Sequence, residues 1–108
     1  MEGSLQMPCK GGVLETRYVV IKDGTIQLYN IGLRKVNPMV DRPEYTTSLK
    51  NLLEVKVHDQ TQDSFPFTLY FRDPGTGKKI SLSFITGSDI MRTRWVDMVV
   101  SSNAFRFI

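Results

Sequence analysis

Apolar and polar residues alternate along most of this chain, and Gly, Pro and Asp break the alternation at short intervals. The clearest stretch is residues 16–30, TRYVVIKDGTIQLYN. Residues 17–22 carry Tyr18, Val19, Val20 and Ile21, which are aromatic or β-branched and favour a pleated strand. In residues 25–30, Ile26 and Leu28 point one way and Gln27 and Tyr29 the other. Asp23-Gly24 between them tolerates the positive φ angles of a type I′ turn, which places Lys22 opposite Thr25. A slip of one residue would turn Ile26 and Leu28 to water, so the hairpin register is firmly specified.

The remaining elements follow the same logic. Residues 2–6 predict a short first strand anchored by Leu5, broken by Met7-Pro8-Cys9-Lys10-Gly11-Gly12. Residues 31–44 contain Gly32, Pro38 and Pro43 and predict a long loop; loops of this length are usually functional or mobile. A short strand is expected over 45–49. Another is expected over 52–58, with Leu53, Val55 and Val57 on its apolar face and Glu54, Lys56 and His58 on its polar one. Phe67, Leu69 and Phe71, then Ile80, Leu82 and Phe84, mark two more strands around a turn at 73–78. The period then lengthens. Ser88 or Asp89 can cap a helix, and Met91, Trp95, Met98 and Val99 recur at helical spacing, fading near residues 101–103. The apolar tail 104–108 either packs back on the domain or marks a junction with a larger protein.

The pattern is therefore mainly β: about seven short strands and one closing helix with Trp95 at its centre. Its 108 residues suffice for one domain, spanning 1–108. The hydrophobic fraction of 41% is ordinary for a globular chain. One cysteine, Cys9, excludes an internal disulfide and suits a reducing compartment. No apolar run approaches a membrane span and the first residues do not resemble a leader, so a soluble cytoplasmic protein is expected. The net charge of +3, from 14 Lys and Arg against 11 Asp and Glu, is mildly basic. It is far from the dense patch of a nucleic-acid binder.

Catalytic chemistry finds little support. His58 is the only histidine and falls on the polar side of a strand, where exposure is expected, and Cys9 has no histidine near it in sequence. Gly75-Thr76-Gly77-Lys78 lacks the glycine spacing, the Ser or Thr after Lys and the following helix of a phosphate loop. No ligand cluster for a metal is present in the sequence, and no cofactor is expected. An oligonucleotide-binding barrel is the remaining small β architecture, and the Trp-bearing helix argues against it.

The order of motifs resembles the pleckstrin homology (PH) family over nearly the whole chain. Glu2-Gly3-Ser4-Leu5 is similar to the family's opening E-G-x-L. Arg17 to Gly24 with Ile26 to Tyr29 is similar to its second and third strands, and Arg94-Trp95-Val96 to its helix R-W-V. The resemblance implies a barrel of two near-orthogonal antiparallel sheets capped by the C-terminal helix, excised from a larger multidomain protein and monomeric by itself. It implies a non-enzymatic module that recruits its parent to membranes by weak or low-specificity phosphoinositide binding. The alternative it carries is a docking module for a signalling protein, small GTPase or peptide, with the 31–44 loop as its surface. Phosphoinositide binders of the family surround clustered phosphates with cations. Carried over, Arg17 and Tyr29 match that pattern, Met7 stands where a Lys is usual, and Glu15 replaces a basic residue. Lys10, Arg17, Lys22, Arg34 and Lys35 are the cations expected to line the open end, with Val13 and Leu14 inserting at the loop tip.

Overall fold

A computed structural model describes residues 1–31 and 35–104, with the backbone only for Lys10, Asn103 and Ala104. Seven antiparallel strands and one helix follow in order: β1 (Glu2–Pro8), β2 (Leu14–Lys22), β3 (Thr25–Tyr29), β4 (Tyr45–Ser48), β5 (Leu52–Val57), β6 (Phe65–Arg72), β7 (Lys79–Thr86) and α1 (Asp89–Ala104). Short 3-10 turns at Lys10–Gly12 and Leu49–Asn51 link β1 to β2 and β4 to β5. The strands form one sheet in the order β4-β3-β2-β1-β7-β6-β5. The halves on either side of the β1–β7 junction are joined through a single paired position, Gln6 with Ile85, and the sheet is not closed.

The hairpin forms in the expected register. Lys22 faces Thr25, and Asp23 and Gly24 take φ angles of 53° and 73°. The alternation it sets places Val19, Ile21, Ile26 and Leu28 in a core shared with Leu69, Phe71 and Phe84. Trp95, 2% exposed, closes this core and lies over Gly3, where an added Cβ would meet its ring at 3.5 Å.

Three expectations change. In β5 the register shifts between Leu52 and Glu54, so Leu52 is buried and Leu53 is left 48% exposed. In α1, Met91 and Met98 are exposed at 40% and 37%, and the buried stripe is Arg92, Trp95 and Val99 with Val96 beside it. Arg92 stays inside because its guanidinium finds acceptors. It donates to the carbonyls of His58 at 3.0 Å and Pro66 at 3.2 Å, to Gln60 Oε1 at 3.3 Å and to Asp89 at 3.4 Å. His58 is not solvated as expected: it is half-buried, with Nε2 2.7 Å from Thr68 Oγ1, which lies 2.9 Å from Ser83 Oγ. The tail 105–108 and its expected packing lie outside the described residues. No described helix is long and apolar enough to cross a membrane.

Candidate functional site

The β1–β2 and β3–β4 connections emerge at one end of the sheet, because Pro8 pairs with Leu14 and Tyr18 with Tyr29. Their sequences decide their shapes. Gly11 and Gly12 both take positive φ, at 78° and 77°, so the chain turns tightly and delivers Val13 and Leu14 outward, 57% and 47% exposed. In the longer connection, Asn37 organises a turn. Its amide donates to Asp41 Oδ2 at 2.7 Å, its own Oδ1 accepts from the Met39 amide at 3.0 Å, and its carbonyl accepts from the Asp41 amide at 2.8 Å. This is the local bonding that Asn and Asp favour in turns. It presents Met39 and Val40 at 84% and 71% exposure.

Arg17 lies on the strand face that carries Val19 and Ile21, at the mouth of the core. Its charge is already satisfied. Nε donates to Glu44 Oε2 at 2.7 Å and one terminal nitrogen to Glu15 Oε2 at 2.6 Å, with only 14% of the side chain exposed. The Glu44 carboxylate raises the Arg17 pKa above its ordinary value, with Glu15 adding to this against some desolvation. In return the Arg17 guanidinium, followed by the Cys9 thiol, holds the Glu15 carboxyl below the usual range. Desolvation and then the Glu15 carboxylate push the Cys9 thiol up, away from the reactive thiolate.

Tyr29 and Lys22 do not converge on Arg17. Tyr29 pairs with Tyr18 on the opposite face of the sheet, is buried, and donates to Gln27 Oε1 at 2.7 Å. Lys22 ends β2 at the β2–β3 turn, eight residues from Leu14 and so ~26 Å along the strand from the loop end. It does not line the open end as expected. Lys22 and Tyr29 instead share a shallow recess of about 180 Å³ with Glu2, Val36 and Pro38. Lys10 sits in the β1–β2 turn, Lys35 is exposed in the β3–β4 connection, and Arg34 lies outside the described residues.

Glu44 is the residue that sequence reasoning missed. It stands 27 positions from Arg17 in the chain, and its only local signal is its place next to β4. Its amide donates to the Leu28 carbonyl at 2.7 Å, which carries the carboxylate to Arg17. Among the described residues this end thus offers an apolar rim in which Arg17 is already paired. Residues 9–17 hold Lys10 and Arg17 against Glu15, and residues 30–44 hold Arg34, Lys35 and Arg42 against Asp41 and Glu44, each one positive charge in excess. Among the described residues no group of acids, histidines or cysteines is placed to hold a metal. Compared with known proteins, the sequence matches no family model and no curated protein.

Proposed function

We propose that this chain is a non-enzymatic, PH-like interaction module that rests its β1–β2 end on anionic membrane surfaces. Contact is by apolar insertion and diffuse charge, without a stereospecific grip on one headgroup. The observation that carries the reading is the exposure of Val13 and Leu14 on a turn whose two glycines hold them outward. Neither side chain covers the core, so both are available to a bilayer. Each contributes ~1.5–3 kcal/mol if fully buried. The two excess positive charges of this end add about 1 kcal/mol each near an anionic leaflet. The sum, about 5–8 kcal/mol before any loss of freedom, corresponds to millimolar to micromolar affinity. Phosphate selectivity is not part of the proposal, because Arg17 is held between two carboxylates and Tyr29 is turned to the other face.

Vesicle sedimentation tests this. The protein should pellet with phosphatidylserine vesicles and with phosphoinositide vesicles according to their charge, less so as salt rises, and little with neutral ones. Val13→Asp with Leu14→Asp should abolish pelleting without changing the thermal midpoint. Equal recovery on neutral and anionic vesicles would remove the membrane reading. The second reading, a protein-docking module, would then stand on Met39 and Val40, whose turn is preformed by Asn37 and Asp41. Methionine adapts readily to an apolar partner surface.

A further inference from the structure

One of the two outermost strands, β5, carries a pattern that is its own complement. It ends the sheet, so one of its edges has no neighbouring strand. The His58 amide, just beyond β5, donates to the Pro66 carbonyl at 3.1 Å. Bonded and non-bonded pairs alternate along an antiparallel ladder. Lys56, opposite Thr68, and Glu54, opposite Tyr70, therefore also turn their backbone groups toward β6. Val55 and Val57 turn theirs to the open edge. The register shift is confined to Leu52–Glu54, which leaves 54–57 in regular pairing. Two exposed apolar side chains flank this stretch, Leu53 at 48% and Val57 at 52%. Glu54 and Lys56 are both exposed; the Glu54 carboxylate has only Lys79 Nζ at 4.0 Å, and Lys56 makes no ion pair among the described residues.

We propose that a second copy of this chain adds to the β5 edge, antiparallel, about a two-fold axis through Val55. Val55 then exchanges both backbone hydrogen bonds with Val55 of the second copy, and Val57 comes opposite Leu53, where the register shift begins. Glu54 of each copy faces Lys56 of the other in the non-bonded position, where opposing side chains approach most closely. Every pair is repeated by the symmetry, as a two-fold interface requires. The neighbouring two-fold registers fail. An axis through Glu54 or Lys56 sets like charges opposite each other and directs the wrong backbone groups outward. An axis between Val55 and Lys56 sets a charge against a valine. A single short strand buries little area, so the dimer is weak and concentration-dependent. This departs from the monomer that the family resemblance implies, and it is independent of the membrane reading.

Sedimentation equilibrium over micromolar to low-millimolar protein tests the proposal. The wild-type chain should show a reversible monomer–dimer equilibrium. Glu54→Lys alone, or Lys56→Glu alone, makes both symmetry-related pairs repulsive and should weaken association at least about tenfold. Mixing the two single variants in equal amounts should restore the dimer, because every cross pair then joins opposite charges. The double variant should dimerise by itself for the same reason. Circular dichroism confirms that each variant is folded. A wild-type chain that stays monomeric throughout overturns the proposal. So do single variants that associate as strongly as wild type, or a folded mixture that stays monomeric.

Discussion

Tyr18 and Arg17 are neighbours in sequence, yet their side chains leave opposite faces of β2 and meet different carboxylates. Arg17 meets Glu44 and Glu15, and Tyr18 donates its hydroxyl to Glu2 Oε2 at 2.6 Å. That acceptor, with burial, pushes the Tyr18 pKa up to about 12. A folded-state value above the unfolded one, about 10, means that the folded chain keeps this proton where the unfolded chain releases it. The stability from this bond is fully present below pH ~10 and is lost as pH rises through about 12. Denaturant titrations at rising pH should show that alkaline decline, and Tyr18→Phe should flatten it. The aromatic-then-branched run of β2 could be read from sequence. The partners could not, because Glu2 and Glu44 reach β2 only through the strand pairing and the return of the β3–β4 connection.

At the scale of elements, α1 shows why a helical period is ambiguous when its buried stripe contains a charge. Met91 and Met98 fit an apolar stripe as well as Trp95 and Val99 do, and an arginine reads as a surface residue. Arg92 nonetheless faces inward, since one guanidinium nitrogen donates to the carbonyls of His58 and Pro66 at the β5–β6 connection and the other to Gln60 and Asp89. Phe65 lies 5.5 Å beneath the guanidinium and adds a cation–π contact. Arg92→Met should therefore destabilise the chain by ~1–3 kcal/mol in a urea titration, despite its good helix propensity and similar length, by leaving the His58 carbonyl unpaired and the Pro66 carbonyl with the His58 amide alone. Arg92→Lys should recover only part of the loss, because an ammonium has no second nitrogen to reach Gln60 and Asp89 while the first serves the two carbonyls. β5 teaches the same lesson: a period-two pattern puts Leu53 on the apolar face with Val55 and Val57, and only the register shift between Leu52 and Glu54 selects Leu52 for the core instead.

For the molecule as a whole, the decisive contact is Trp95 against the inner face of the sheet. The two halves of the sheet meet at one paired position, Gln6 with Ile85, so hydrogen bonds alone tie them loosely there. The indole over Gly3 and the Val99 side chain beside it close the core that both halves line. Trp95→Ala should cost ~3–5 kcal/mol, enough to unfold much of a marginally stable domain, and should be read as a collapse of the thermal transition. Trp95→Phe should retain a cooperative transition at a lower midpoint.

The hairpin register, the number of strands and the closing helix were legible in the sequence, because each depends on the spacing of residues a few positions apart. Strand alternation, a turn dipeptide and a cap act locally, and their signals survive without the fold. The state of the expected binding cations was not legible. Whether Arg17 is available or neutralised, whether Lys22 reaches the loop end and which face holds Tyr29 depend on contacts between distant segments. Those are set only when the sheet assembles, since an ion pair is a matter of a few ångströms in space and leaves no periodic trace along the chain.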